Sequence, residues 1–141
     1  MKTIQFIAIL LFATTFVQAQ DINENQVPSV VLNTFKTEFP KASDVEWEMK
    51  GDQFQVEFEI GYFSDYEAWF KATGEMLYYE EEISKRKLPE AVKNTVQQKY
   101  DAYRIDDVKK INKKGEISYA IELEKGREEI NIIINENGQI K

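Results

Sequence analysis

Cysteine and histidine are both absent from the 141 residues. That excludes disulfides, thiolate nucleophiles, Cys/His zinc sites and the commonest general base. Carboxylates, lysines, hydroxyls and tyrosines remain. Glycine is sparse, at six residues, and no glycine-rich phosphate loop is present. Neither a Gly-x-Ser-x-Gly elbow nor a Ser-x-x-Lys in a suitable context occurs. The expectation is therefore a protein that is not an enzyme and holds no cofactor. A membrane span is also missing. The apolar run over residues 4–17 is about 14 residues long, where a spanning helix needs roughly 20.

That run reads instead as a secretory leader. Lys2 supplies the positive start, Val17-Gln18-Ala19 suits a signal peptidase, and acidic polar sequence begins at Asp21. Cleavage is expected after Ala19, giving a signal peptide over residues 1–19. No cysteine follows it, which excludes lipid attachment at a lipobox. Export to the periplasm or the extracellular space is implied. Removing 19 of 141 residues leaves 122, and takes one lysine from 18 basic residues against 25 acidic ones, a net charge of −8. Such a surface does not suit nucleic acid, whose phosphates need neutralising. A monomer without a membrane span is expected.

The remaining chain repeats itself. Val27-Pro28 opens a segment with Val31, Phe35 and Phe39 at helical spacing, and Leu88-Pro89 opens another with Val92, Val96 and Tyr100, at a constant offset of 61. After each helix the period falls to two. Val45, Trp47 and Met49 alternate with Glu46, Glu48 and Lys50; a turn at Gly51-Asp52 leads to Phe54, Val56, Phe58 and Ile60. The second copy shows a strand over residues 108–112, a turn at Lys113-Lys114-Gly115, and Ile117, Tyr119, Ile121 and Leu123 in alternation. A third strand in each copy carries Tyr66, Ala68 and Phe70, or Ile130, Ile132 and Ile134, closed at Gly74 and Gly138. A fourth strand, from Glu75 to about Ile83, ends the first copy, while the second has only Gln139-Ile140-Lys141 for it. The predicted fold is α+β: one domain over residues 20–141, made of two tandem helix-plus-antiparallel-meander repeats (27–83 and 88–141). The helices pack on one face of an antiparallel sheet, and the other face is acidic and wet.

This order resembles the PepSY-like family, the β-lactamase-inhibitor-like group of secreted bacterial proteins abundant in Bacteroidetes. The features that carry the resemblance are the Leu88-Pro89 helix start, Phe39-Pro40 with Ala42 before the first long strand, Trp47 in that strand, and Gly74 and Gly138 in the closing turns. The resemblance covers roughly residues 27–141. It implies helices on one sheet face, an open opposite face as in β-lactamase inhibitor protein, and no catalytic residues. The short end of the second copy departs from the family pattern.

The copies differ in charge. Residues 20–83 hold 15 acids and 4 bases, while residues 84–141 hold 10 acids and 13 bases; aromatics split 12 to 3. Phe in place of Ile at core positions explains much of the aromatic excess. It does not explain Trp69, which falls out of phase with Tyr66, Ala68 and Phe70 and so points with Glu67 and Lys71 to the other face. Trp69 is either a binding anchor or a ring covered by a loop or the N-terminal segment. Tyr62, Phe63 and Asp65 form a loop cluster that is either a lid over the core or a contact surface. Of the adjacent Tyr78 and Tyr79, one must face out. Glu57 and Glu59 share one strand face, with Glu46 and Glu48 near them. They read as a solvated face, since a general acid needs burial to raise its pKa and none is predicted. The Asp/Asn clusters at residues 21–25 and 135–138 do not match an EF-hand loop.

The expected function is a secreted, non-enzymatic binding module that offers Trp69, Glu57, Glu59, Glu67, Lys71, Tyr62 and Phe63 to a protein or peptide partner. A small-ligand or cation-binding envelope protein, or a structural component without a discrete site, are the alternatives.

Overall fold

The computed structural model describes residues 20–62 and 64–141. The expected leader and Phe63 lie outside the described residues. Eight strands form one antiparallel sheet in sequence order: β1 (Gln20–Ile22), β2 (Ala42–Lys50), β3 (Gln53–Ile60), β4 (Asp65–Lys71), β5 (Met76–Glu82), β6 (Arg104–Lys113), β7 (Glu116–Lys125) and β8 (Glu128–Asn135). Helix α1 (Ser29–Glu38) connects β1 to β2, and α2 (Glu90–Lys99) connects β5 to β6. Each helix is preceded by a short 3-10 turn, at Glu24–Gln26 and Lys85–Lys87. Among the described residues no helix is long and apolar enough to cross a membrane.

Both helices start directly after a proline, Pro28 or Pro89, whose missing N–H costs nothing there. Each ends on an aromatic residue whose N–H closes the last turn, Phe39 on the Phe35 carbonyl and Tyr100 on that of Val96, both at 2.8 Å. Their apolar stripes cover the same face of the sheet. Val27, Val31, Phe35 and Phe39 pack on Trp47, Phe54, Val56, Phe58, Ala68 and Phe70. Leu88, Val92 and Val96 pack on Val108, Tyr119, Ile121, Leu123 and Ile134. The first core is aromatic. Phe35 sits at its centre, with ring centroids 5.1 Å from Phe58 and 5.3 Å from Trp47, both edge to face. Such pairs add about 0.5–1.5 kcal/mol each beyond burial. The second core is aliphatic.

Three details differ from the sequence reading. β1 was not foreseen: Gln20, Asp21 and Ile22 pair with Met49, Glu48 and Trp47, and the Asn23 N–H donates to Gln26 Oε1 at 2.8 Å, closing the following turn. The fourth strand closes nothing. As β5 it pairs with β4 on one side and β6 on the other, and so joins the two halves. Val45 and Met49 are exposed despite their phase. A bulge between Ser43 and Glu46, with Asp44 at φ +48°, interrupts the start of β2, and on its outer side β2 has only the three-residue β1, which leaves these side chains at the margin of the core.

The closing turns dock on the helices. Gly138 has φ +82°, and a Cβ there would lie 2.6 Å from the Ala91 carbonyl oxygen of α2. Thr95 Oγ1 donates to the Gly138 carbonyl at 2.7 Å, which fixes the close approach. Gly74 meets the Val30 carbonyl of α1 in the same way, at 3.0 Å. Gly115 also has a positive φ, +91°, but has open space around it. Gly138→Ala is therefore expected to cost about 3 kcal/mol, against about 1 kcal/mol for Gly115→Ala, which pays only the left-handed backbone. Urea unfolding of the two variants checks this. Equal losses would show that the turn gives way without disturbing α2.

Candidate binding face

Alternation turns every second side chain of the sheet away from the helices, and the register lines these up across strands. Glu46 stands opposite Glu57, Glu57 opposite Glu67, and Glu67 opposite Glu80. One row thus crosses β2, β3, β4 and β5 with a glutamate on each. Beside it, Glu59 stands opposite Asp65. On its other side run Glu48, Gln55, Trp69 and Tyr78. A shallow depression of about 280 Å³ opens over the carboxylates.

Among the described residues one cation is ion-paired to the glutamate row. Lys109 reaches from β6, with Nζ 2.8 Å from Glu67 Oε1 and 3.7 Å from Glu80 Oε2. Glu46, Glu57, Glu59 and Asp65 form no ion pair among the described residues. Gln55 is 1% exposed; its Nε2 donates to Glu67 at 3.0 Å and Glu57 at 3.4 Å. Its Oε1 is buried without a hydrogen-bond donor among the described residues. Trp69 is half-buried and lies flat on Tyr78, centroids 4.4 Å apart and planes 15° from parallel. It is on the opposite face from Phe70, outside the helix–sheet core.

The predicted site residues are brought together only in part. Glu57, Glu67 and Trp69 are neighbours, and Glu59 is one row away. Lys71 stands at the far end of β4, opposite Gln53, where its Nζ is 2.7 Å from Glu75. Tyr62 is 92% exposed in the β3–β4 connection, at the other end of that hairpin. Six strand residues, roughly 20 Å, separate the two ends, so Tyr62 and Lys71 do not form one cluster. Phe63 lies outside the described residues. Glu80, Lys109 and Gln55 were missed. Glu80 and Lys109 enter the row only through the β4–β5 and β5–β6 registers, which no local pattern shows. Gln55 reads from sequence as one more polar residue on the wet face. Tyr78 is the outward member of the tyrosine pair; Tyr79 packs with the first core.

Crowding perturbs the carboxylates, contrary to the sequence expectation. Partial desolvation, then the charges of Glu67, Glu48 and Glu46, raise Glu57 above the ordinary value of 4.5, against the pull of Lys50. Burial likewise raises Glu80, although Lys109 opposes it. Lys109 itself loses solvation, but the Glu67 hydrogen bond and the charges of Glu67, Glu80 and Asp107 outweigh that and raise it. Glu75 behaves oppositely: hydrogen bonds from Lys114 and Lys71 lower it to about 2.

The signs give a pH profile. A carboxyl raised in the folded state opposes folding when ionised, and the penalty is relieved as pH falls through its folded pKa toward 4.5. The Glu75 contribution is complete above 4.5 and is lost as pH falls toward 2. Stability should therefore rise as pH falls from neutrality through the raised values of Glu57 and Glu80 toward 4.5, and decline as it falls further toward 2. Glu57→Gln should flatten the rise and add about 0.5 kcal/mol near neutrality by relieving like charges in register. Urea titrations across pH check this; a rise unchanged by Glu57→Gln would remove the row as its source.

A family model described as "Putative beta-lactamase-inhibitor-like, PepSY-like" matches residues 14–63 and 52–141. Solved structures share the fold. A protein of the DUF2874 family from Bacteroides uniformis superposes with TM-score 0.74 at 19% identity, covering 80% of this chain and 85% of its own. A BLIP-like protein from Bacteroides fragilis gives TM-score 0.72 at 24% identity, covering 81% and 83%. A "putative periplasmic" protein from Bacteroides eggerthii gives 0.75 at 18%, covering 81% and 85%. At these identities the likeness is one of fold. No curated protein matches the sequence. The family match spans most of the chain, which is thus a member of the PepSY-like, β-lactamase-inhibitor-like family.

Proposed function

We propose that this protein is an exported, non-enzymatic binding module whose open sheet face engages a protein or peptide partner. The observation that carries the reading is the row of Glu46, Glu57, Glu67 and Glu80 on four adjacent strands. Like charges directly opposite one another destabilise a sheet. A fold that violates a local rule without internal compensation does so most often where it functions. Lys109 compensates only the β4 and β5 end. The half-buried Trp69 beside the row adds the type of anchor that dominates protein interfaces. The depression over the row is lined mainly by carboxylates, with Phe58 and Tyr66 among them, which favours a charged macromolecular surface over an apolar small ligand. The leader over residues 1–19 supports export, as does the periplasmic description of the Bacteroides eggerthii neighbour.

The same module is an internal duplication. Its units begin at β1 and β5, so that Ile22, the first 3-10 turn and Pro28 correspond to Ile83, the second 3-10 turn and Pro89 at the offset of 61. In this division each unit is strand, turn, helix and three-strand meander, and neither lacks a strand.

The test uses the exported chain as bait for envelope proteins. Wild type is compared with Trp69→Ala/Glu57→Lys and with a helix-side control, Lys93→Ala. A partner held by wild type and control, and reduced about tenfold or more with the face variant, is the expected result. Capture indifferent to the face variant, with circular dichroism showing both folded, would end the reading.

A further inference from the structure

The glutamate row has a length, a partly filled state and an aromatic neighbour, and together these define what it fits. Strands lie about 4.8 Å apart, so four strands place the outer carboxylates of the row about 14 Å from one another. An extended peptide puts alternate side chains on one side, about 6.8 Å apart. Three of them, at i, i+2 and i+4, span about 14 Å, which is also the length along β3 from Glu59 past Glu57 to Gln55 and its register partner Trp69. Lys109 already seats one cation at the β4 and β5 end, on Glu67 and Glu80. Glu46 and Glu57, with Glu59 and Asp65 in the next row, form no ion pair among the described residues, and the pull of Lys50 does not offset the crowding at Glu57.

We propose that this face seats an extended, arginine-bearing segment of the partner protein, with basic side chains at alternate positions lying over Glu46, Glu57, Glu59 and Asp65 and one guanidinium packed against the Trp69–Tyr78 pair. The inference rests on the reading of the open face as a binding face. Complementary charge selects a basic occupant. The aromatic pair selects arginine over lysine. Trp69 is two residues from Glu67 on β4, about 7 Å along the strand. A planar guanidinium can lie on an aromatic ring and still fork to a carboxylate at that range. An ammonium is a strongly hydrated point charge without that geometry. Gln55, the register partner of Trp69, holds the buried acceptor Oε1 that has no donor among the described residues. A guanidinium brings five N–H donors to this neighbourhood. Lys109 is the internal counterpart of the missing cations, and it competes with them at the β5 end.

Three synthetic heptapeptides test this on the exported full chain: alternating Thr and Arg, the same with Lys, and the same with Ser. Titration calorimetry at low salt gives affinities, and Trp69 emission reports stacking, with the buried Trp47 as constant background. The arginine peptide is expected to bind about fivefold or more tighter than the lysine peptide, and the serine peptide not at all. Glu46→Gln/Glu57→Gln should weaken arginine binding about tenfold. That variant relieves repulsion, so it is expected to fold. Trp69→Leu should abolish the preference for arginine while leaving weaker charge-driven binding. Equal affinity for arginine and lysine peptides, or binding untouched by the glutamine variant, would overturn the inference. The envelope-capture experiment uses no peptide. A partner caught through the face together with indifference to arginine therefore overturns this inference alone, and loss of both overturns the binding reading as well.

Discussion

The β5–β6 ladder makes one sheet out of two cores. It runs through four register pairs, from Tyr79 opposite Asn112 to Glu82 opposite Lys109. The aromatic core under α1 and the aliphatic core under α2 have no buried residue in common. The ladder is reinforced by charge. Lys109 bonds Glu67 and Glu80, and Lys114, in the β6–β7 turn, lies 2.8 Å from Glu75. In each case the acid belongs to residues 20–83 and the lysine to residues 84–141, so the opposite charge balance of the halves acts at their joint. Exposed pairs of this kind contribute only a few tenths of a kcal/mol, but Lys109 and its partners are partly shielded. Without Lys109 the acidic row would gain further unbalanced charge.

Local patterns carried most of the fold. The positions assigned to the helix stripes and to the inward strand faces, such as Phe35, Val56, Phe70, Val92, Ile121 and Ile134, are buried. They obey a single period over a single element, so one sequence is enough. The failures lie where two elements decide together. β1 is three residues long, too short for alternation to register, and exists because β2 offers an edge. Val45 is inward by phase, beside Phe35, Phe39 and Trp47, yet exposed, because the short β1 flanking β2 reaches no farther than Trp47. The role of β5 was invisible because pairing with β6 spans a helix.

The face was legible in the same uneven way. That Glu57, Glu67 and Trp69 share one side of a sheet follows from counting by two. That Glu46, Glu57, Glu67 and Glu80 stand in one row does not, because it depends on three hairpin registers and a bulge between Trp69 and Phe70. Gln55 shows the limit most clearly. It is polar, on the wet face, and nearly fully buried, with Glu48 and Trp69 opposite it in register and Glu57 and Glu67 accepting from its amide. Burial on an open face is a property of neighbours on other strands, which a one-dimensional pattern does not contain.

Both helices lie on one side because each connects adjacent antiparallel strands, β1 to β2 and β5 to β6, and their apolar stripes need the same inward face. Among the described residues the other side of all eight strands therefore has no covering element. The pleat keeps the two sides apart: Val56 and Ala68 stand in the core, while their chain neighbours Gln55, Glu57, Glu67 and Trp69 stand outside it. Stability resides mainly in burial, and recognition chemistry sits on the side that burial does not use. Substitutions on the open face that neither introduce proline nor leave Lys109 without a carboxylate should therefore act nearly independently of substitutions in the cores. A sheet built in this way holds its shape while the chemistry of its open side varies, and that separation allows the acidic row to persist in a stable fold despite its own repulsion.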